Sequence, residues 1–248
     1  MNTPPNMATH PQLGVRADAR ANEGADVPAW AIVVAGGSGQ RFGDEKQFLT
    51  LGARRVVDWA VESALQAGLR VVLVAPEGFA PNEAPVGVSC VVVGGATRTE
   101  SVRNGLAAVP NEATIVCVHD AARPFASAEL FLKVVSAVAA GADGAVPGVE
   151  VVDTIKVVSY DESAGVEVVV STPSRATLRA VQTPQGFDCA TLRKAHAYAQ
   201  QHNLEGTDDA TLVEAIGGYV VMVPGEADNK KITTLGDYLQ AEQKLANS

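Results

Sequence analysis

The segment VVAGGSGQRFGDEKQF, residues 33–48, decides the fold class because it joins a short apolar run to a glycine-rich loop. Residues 30–35, WAIVVA, are apolar throughout. A short apolar run bounded by glycines is typical of a strand that is buried on both faces. In sheets built from such strands, ligands bind beyond the carboxyl ends of the strands, and the glycine loop falls there.

The glycine loop is a candidate phosphate-binding loop. Gly36, Gly37 and Gly39 carry no side chain, so their backbone N–H groups can approach an anion closely. Arg41 adds a forked donor and Lys46 a point charge. The loop lacks the third glycine of the dinucleotide-binding fingerprint and the Gly-Lys-Ser/Thr ending of the P-loop. Taken alone, it is equally well explained as a tight loop with solvated charges.

Composition indicates a globular chain with one main domain. The sequence has 248 residues, 47% of them hydrophobic. No apolar stretch reaches the roughly 18–20 residues of a membrane span. The net charge of −9 argues against a nucleic-acid partner. Three cysteines without CxxC spacing predict reduced thiols and a cytoplasmic location.

The chain divides into two regions. Residues 1–28 are rich in Pro, Asn, Ala and charge and have no apolar period, which predicts a disordered extension. Residues 29–248 are predicted to form a single domain. Strand patterns occur at 30–35, 70–76, 88–93, 114–120 and 219–224, and helix patterns at 54–67, 99–109, 127–140, 188–202, 208–216 and 235–246. Their alternation predicts an α/β, Rossmann-like fold with a mostly parallel sheet flanked by helices, whose ligands bind at the carboxyl ends of the strands.

Residues 152–172 interrupt this alternation. Apolar and polar residues alternate on both sides of a polar centre at 161–165, which predicts a β-hairpin arm. Because an isolated hairpin is only marginally stable, we expect the arm to pack on a second subunit of a homodimer.

The segment VHDAARP, residues 118–124, supplies a second candidate site. Asp120 ends a buried strand and Arg123 follows within three residues. A carboxylate at this edge suits Mg²⁺, which takes one or two carboxylates and completes its shell with phosphate oxygens. Arg123 would counter the negative charge of a ligand, although the spacing alone slightly favours a simple Asp–Arg ion pair. His119 lies inside the strand, so we expect a structural role rather than a general base.

Several motifs in one order resemble the 2-C-methyl-D-erythritol 4-phosphate cytidylyltransferases. The motifs are AGGSGQRF, Lys46-Gln47, GGATRTESV (94–102), VHDAARP, DTIK (153–156), TPSRATLRAVQTPQGF (172–187), GTDDA (206–210) and ADNKKIT (227–233). The resemblance runs from about residue 30 to the end. It implies an enzyme of the non-mevalonate isoprenoid route that joins CTP to a sugar-alcohol phosphate with Mg²⁺ and releases pyrophosphate.

The resemblance also implies roles for individual residues. Catalytic roles fall on Arg41, Lys46, Asp120 and Lys231, with Asp120 also the metal ligand. CTP binding falls on Ala35, Gly36, Gly37, Gly39, Gly94, Gly95 and Ser101, and acceptor binding on Arg123, Thr154, Arg175, Thr183, Thr207 and Asp228. In the family the arm crosses to the other subunit. Asp208 and Asp209 are candidate caps of the following helix rather than substrate ligands.

Two alternatives stay open at this stage. A ribitol-5-phosphate cytidylyltransferase would share the CTP motifs and differ in its acceptor pocket, although the arm and residues 172–187 favour methylerythritol phosphate. A catalytically silent nucleotide-binding homologue would have no need of the combination Arg41, Lys46, Asp120 and Lys231.

Overall fold

The computed structural model describes residues 29–36 and 46–247, with Lys46 described by its backbone only. The predicted extension at 1–28, the loop residues Gly37, Gly39 and Arg41, and the side chain of Lys46 lie outside the described residues. The strands are β1 Trp30–Val34, β2 Thr50–Leu51, β3 Arg54–Arg55, β4 Arg70–Ala75, β5 Val88–Val93, β6 Ile115–Asp120, β7 Gly144–Glu150, β8 Val157–Asp161, β9 Val166–Ser171, β10 Arg179–Val181, β11 Gln185–Asp188 and β12 Val220–Pro224. The α-helices are α1 Val56–Gln66, α2 Arg98–Ala108, α3 Ala128–Ala139, α4 Cys189–His202, α5 Asp209–Ala215 and α6 Leu235–Ala246.

The predicted α/β fold with a mostly parallel sheet is confirmed. The central sheet has the order β10-β7-β11-β6-β1-β4-β5, and β12 pairs with the other side of β7. Strand β1 runs parallel to both β4 and β6, and β4 runs parallel to β5. The carboxyl ends of these four strands therefore lie at one edge of the sheet.

Helices cover both faces of the sheet because the strand side chains alternate. Ile32 points into a core shared with α2, α4 and α5, whereas its neighbour Val33 points into a core shared with α1 and α3. Both side chains are fully buried. Burial on two faces explains why the central strands are apolar runs rather than alternating patterns. No helix within the described residues is long and apolar enough to cross a membrane.

Three strands of the sheet escape prediction. The segment β7 contains Gly144, Pro147 and Gly148, which are residue types that normally interrupt strands. Strands β10 and β11 have three and four residues, too few to show a period. Both run antiparallel to β7, and β11 lies between β6 and β7. The sheet is thus parallel in its first half and mixed in its second.

Helix caps shift two predicted boundaries. The pattern predicts a helix that starts at Thr99, but α2 begins at Arg98 because the Thr97 side chain accepts a hydrogen bond from the backbone N–H of Glu100. The helix predicted at 208–216 begins one residue later, at Asp209, because Asp208 is its cap. As predicted for a cap, the Asp208 carboxylate accepts from the backbone N–H of Thr211 at 2.9 Å. Asp209 lies inside the first turn and has a different role.

The predicted hairpin arm is present. Strands β8 and β9 form a two-stranded antiparallel sheet of their own, joined by a turn in which Gly165 has φ +67°. Val168 and Val169 point to opposite faces and are 47% and 55% exposed. The arm thus presents apolar side chains on both faces.

Candidate active site

Four parallel strands deliver two glycine segments to the same place. Val34 at the end of β1 lies opposite Val74 and Asp120, and the backbone N–H of Gly94 donates to the carbonyl of Ala75 at 2.8 Å. A Cβ atom built on Gly94 would lie 3.4 Å from the Cα of Gly36 and 3.1 Å from Ser101 Oγ. Only a residue without a side chain fits this approach comfortably. The structure therefore brings together the predicted residues Ala35, Gly36, Gly94, Gly95 and Ser101.

Ser101 fixes the second glycine segment. Its Oγ accepts from the backbone N–H of Gly95 at 3.0 Å and donates to the carbonyl of Thr97 at 2.9 Å. The Glu100 carboxylate accepts from the backbone N–H of Ala96 at 2.8 Å. The buried Ser101 hydroxyl therefore already accepts one hydrogen bond and donates another. Its contribution is to hold the loop that carries Gly94 and Gly95.

Asp120 lies between two cations at the carboxyl end of β6. Its Oδ2 accepts from Lys231 Nζ at 2.7 Å, and its Oδ1 accepts from Arg98 Nε at 3.3 Å. Burial by itself would raise the pKa of Asp120, but Arg98 and Lys231 stabilise the carboxylate and lower that pKa well below its ordinary value. Asp120 is therefore an anion at neutral pH.

A buried aspartate extends this cluster away from the sheet edge. Arg98 Nη1 donates to Asp209 Oδ2 at 2.7 Å, and His196 Nε2 lies 3.1 Å from Asp209 Oδ1. Burial would raise the pKa of Asp209, but the charge of Arg98 and the hydrogen bond from His196 lower it. We call Arg98, Asp120, Asp209 and Lys231 the charge cluster. Neither Arg98 nor Asp209 was predicted as a site residue, because their only signal in the sequence is their place inside two family motifs.

The loop that carries Lys231 is fastened by its neighbours. Arg123 Nη1 donates to the carbonyl of Asn229 at 2.8 Å, and Asn229 Nδ2 donates to the carbonyl of Thr183 at 2.8 Å. Asn229 is fully buried. Burial lowers the pKa of Arg123, while its charge also helps to lower the pKa of Asp120. Arg123 thus lies near Asp120 and holds the Lys231 loop in register with β6.

His119 is fully buried next to Asp120, as its predicted place inside the strand implies. Its Nε2 lies 3.2 Å from the carbonyl of Arg123, which can only accept, so Nε2 carries the proton. Burial lowers the pKa of His119 to about 4, so Nδ1 accepts from the Thr183 hydroxyl at 3.0 Å. That hydroxyl in turn accepts from the backbone N–H of Asp120 at 3.0 Å. Thr183 therefore retains a single lone pair for any ligand.

The other predicted acceptor residues contact different segments. Thr154 and Arg175 are exposed near the base of the arm, where Arg175 Nη1 donates to the carbonyl of Val152 at 2.6 Å. Thr207 Oγ1 lies 3.3 Å from Thr211 Oγ1. Asp228 pairs with Lys244 Nζ at 2.7 Å. In this structure the contacts of these side chains lie outside the charge cluster.

Similar proteins are nucleotidyltransferases. The 2-C-methyl-D-erythritol 4-phosphate cytidylyltransferase of Thermus thermophilus superposes with a TM-score of 0.73 and 38% identity, over 89% of this chain and 100% of that one. The 4-diphosphocytidyl-2C-methyl-D-erythritol synthase of Anaerococcus prevotii gives a TM-score of 0.76 and 28% identity, over 90% and 100%. The chain is thus a nucleotidyltransferase with an α/β fold.

Sequence comparison gives the family. The family model described as 2-C-methyl-D-erythritol 4-phosphate cytidylyltransferase matches residues 29–247. Enzymes with this name from Streptomyces coelicolor and Nocardia farcinica are 44% and 43% identical, over 87% and 90% of this chain and 84% and 95% of theirs. The chain also spans 54% of the bifunctional enzyme IspD/IspF of Solidesulfovibrio magneticus, at 42% identity. The chain belongs to the 2-C-methyl-D-erythritol 4-phosphate cytidylyltransferase family.

Proposed function

We propose that this protein joins CTP to 2-C-methyl-D-erythritol 4-phosphate, giving the CDP-linked methylerythritol and pyrophosphate for isoprenoid synthesis. Family membership supports this reaction. The observation that carries the proposal is the Asp120 carboxylate, held between Arg98 and Lys231 beside the glycine pair Gly36 and Gly94. The positive charges of Arg98 and Lys231 suit a reaction in which two anionic substrates must approach each other.

The reaction requires no nucleophilic side chain. The second pKa of a phosphate monoester is about 6, so the acceptor's phosphate oxygen is a competent nucleophile near neutral pH. It attacks the α-phosphorus of CTP, and the bond to the bridging oxygen breaks as pyrophosphate departs with its electron pair. The main barrier is the approach of one anion to another, so positioning and positive charge supply most of the catalysis.

The cations around Asp120 supply that charge. Arg98, Lys231 and Arg123 all lower the pKa of Asp120, and together they outnumber the carboxylates Asp120 and Asp209 by one charge. The Lys231 side chain is 40% exposed, so its ammonium group can contact an incoming phosphate without leaving the cluster. Arg41 and Lys46 are proposed to add two further cations from the glycine loop.

Magnesium fits this site on one condition. Within residues 29–36 and 46–247 no group of three or more His, Cys, Asp or Glu side chains could hold a metal. Mg²⁺ prefers one or two carboxylates and completes its shell with phosphate oxygens and water. Asp120 would hold the ion if the triphosphate brings the other ligands. When bound, the ion would supply positive charge to the phosphates.

Nucleotide selection is proposed to rest on backbone groups. Ala35, Gly36, Gly37 and Gly39 would line the triphosphate, and the segment Gly94–Gly95, held by Ser101, would read the cytosine ring. The hydrogen bonds from Gly95 to Ser101 and from Ser101 to Thr97 support this role, because they keep the donors and acceptors of the loop in fixed positions. A rigid edge discriminates bases better than mobile side chains.

The acceptor is proposed to bind across a homodimer. The arm would bring Thr154 and Arg175 to the site of the other subunit, where Arg175 can grip the terminal phosphate. The apolar, exposed faces of the arm support this arrangement. Arg123, Thr183, Thr207 and Asp228 are proposed to complete the acceptor pocket. A cytoplasmic location is consistent with three free cysteines.

The test is pyrophosphate release from CTP and Mg²⁺ with methylerythritol phosphate or ribitol 5-phosphate in parallel. We expect turnover with the first acceptor and its loss when the metal is chelated. Lys231→Ala should lower kcat by about 10²–10³-fold, the usual cost of losing one charge-stabilising donor. Lys230→Ala is the matched control, because this exposed neighbour does not contact Asp120. Faster turnover of ribitol 5-phosphate, or equal loss in the two lysine variants, would contradict the proposal.

A further inference from the structure

We propose that Asp209 and His196 are positioning residues that set the place of Arg98, and through it the geometry of Asp120. This inference rests on the proposed function and adds to it two side chains from α5 and α4. Neither residue contacts Asp120 directly; they act through Arg98.

The distances show which carboxylate controls Arg98. The bond from Arg98 Nη1 to Asp209 Oδ2 measures 2.7 Å, the usual length of a charge-assisted hydrogen bond. The contact from Arg98 Nε to Asp120 Oδ1 measures 3.3 Å, which is long for such a bond. Asp209 therefore holds the guanidinium firmly, while Asp120 can exchange this contact for a ligand without releasing Arg98.

Asp209 is itself immobilised. It is 1% exposed, and its second carboxylate oxygen faces His196 Nε2 at 3.1 Å. A carboxylate oxygen can only accept, so His196 donates from Nε2. His196 Nδ1 has no hydrogen-bond partner within the described part of the chain, and the ring is 2% exposed. The polar use that the structure shows for this buried ring is therefore to orient Asp209.

A contribution to the stability of the fold does not by itself explain the buried ion pair of Arg98 and Asp209. Replacing a buried ion pair by apolar residues of similar volume is often neutral or stabilising, because desolvation offsets most of the attraction. Here one member of the pair, Arg98, is only partly buried: its side chain is 28% exposed and also contacts Asp120. Of the five N–H donors of Arg98, the two contacts described use two. The remaining donors are available to phosphate oxygens that enter beside Asp120.

The decisive experiment compares conservative and disruptive variants at the two positions. Asp209→Asn keeps the shape and removes the charge, so kcat should fall about tenfold or more and the Kd of CTP with Mg²⁺ should rise severalfold. The KM of methylerythritol phosphate should stay within about twofold, because Asp209 acts on the nucleotide side. His196→Gln retains an N–H donor and should remain near wild type, whereas His196→Leu should lower kcat severalfold.

Two measurements separate positioning from stability. Asp208→Asn is the matched control, because it makes the same charge change one residue away on the cap of α5. It should leave kcat near the wild-type value. The melting temperature of His196→Leu should fall, because the change leaves the buried Asp209 Oδ1 without its hydrogen-bond donor. Turnover is therefore measured well below the melting transition and per folded molecule, and a lower kcat under those conditions would support positioning.

The inference is overturned if Asp209→Asn and His196→Leu bind CTP with Mg²⁺ as wild type does, or if kcat falls only as far as the folded fraction. CTP affinity, measured by calorimetry, does not depend on which acceptor the enzyme uses. Absence of turnover in the wild-type protein with methylerythritol phosphate would instead contradict the proposed function.

Discussion

The charge cluster and the arm differ in how their functional side chains are placed: the carboxylates of the cluster are nearly buried, whereas the side chains of the arm are exposed. In the charge cluster, Asp120 and Asp209 are nearly buried and contacted by side chains from distant parts of the chain. In the arm, Val168 and Val169 are about half exposed and the strands pair within one hairpin. The first region is complete within one chain, whereas the second has surface that a single chain leaves uncovered.

This difference separates two kinds of contribution to the reaction. A buried network of charges is rigid, because each member would lose strong partners by moving. An exposed apolar hairpin gains its fixed position only when another surface covers it. We therefore expect changes in the charge cluster to act on the chemistry of the nucleotide, and changes in the arm to act on assembly and on the acceptor.

The largest effect is expected for Asp120→Asn. The change leaves Arg98 and Lys231 without their shared anion and removes the proposed metal ligand, so kcat should fall by about 10³-fold or more. Pyrophosphate release at saturating substrates measures it. Glu129→Gln, which removes a negative charge from a side chain that is 74% exposed, is the control and should have no effect. Retention of more than a tenth of wild-type turnover by Asp120→Asn would remove the charge cluster from the chemistry.

The next effect is expected for Val168→Asp in the arm. An unpaired charge buried at an interface costs about 3–5 kcal/mol, so the affinity of the dimer should fall by at least about a hundredfold. If the proposed dimer forms, analytical ultracentrifugation should show a monomer for the variant at concentrations where wild type sediments as a dimer, and acceptor turnover should fall with it. Val86→Asp places the same charge at a side chain that is 96% exposed and serves as control. An unchanged sedimentation profile for Val168→Asp would show that the arm does not hold a dimer together.

A smaller, selective effect is expected for Arg175→Ala. Loss of a charged hydrogen bond costs about 1.5–3 kcal/mol, so the KM of methylerythritol phosphate should rise about tenfold or more while the KM of CTP changes little. Arg179→Ala is a close control, because that exposed arginine donates to the backbone carbonyls of its own segment, at Ala176 and Leu178. An unaltered acceptor KM would take Arg175 out of the site.

The smallest effect compares one threonine from each region. Thr183→Val removes the hydroxyl that serves the backbone N–H of Asp120 and His119 Nδ1, both buried. Leaving such groups unpaired costs about 1–3 kcal/mol, which lowers the melting temperature by about 5 °C in a protein of this size. Thr154→Val changes an exposed residue near the arm and should leave melting unchanged. Equal melting temperatures in calorimetry would contradict the supporting role assigned to Thr183.

The sequence predicted the first half of the sheet well. Residues 30–35, 70–76, 88–93 and 114–120 correspond closely to β1, β4, β5 and β6. For β1, β4 and β6 the reason is burial on both faces, which favours apolar side chains along the whole strand. The arm was also predicted, since apolar and polar residues that alternate on both sides of a polar turn are typical of a hairpin.

In the second half of the sheet, β12 was predicted at 219–224, but three other strands were missed for a physical reason. Strands β7, β10 and β11 are short or contain Gly and Pro, and they are stabilised by pairing with distant strands rather than by local propensity. Pairing between remote segments leaves no periodic signal in any one of them. For the same reason, the antiparallel direction of β11 could not be predicted from its own residues.

The candidate site was predicted in part. Asp120 and Lys231 were assigned catalytic roles, and the structure shows them in contact at 2.7 Å. Arg98 and Asp209 were missed because their partnership spans 111 residues and neither residue alone differs from a surface charge in sequence. Asp209 in particular was interpreted as a helix cap, a role that its neighbour Asp208 fills.

The link between Asp120 and Lys231 joins positions 111 residues apart. A polypeptide that stops before residue 231 lacks one of the two cations that hold Asp120, even though it contains all the early parallel strands. Catalytic competence should accordingly require that both distant segments are in place. Recovery of turnover during refolding would therefore report completion of the whole tertiary structure more stringently than the return of helical signal.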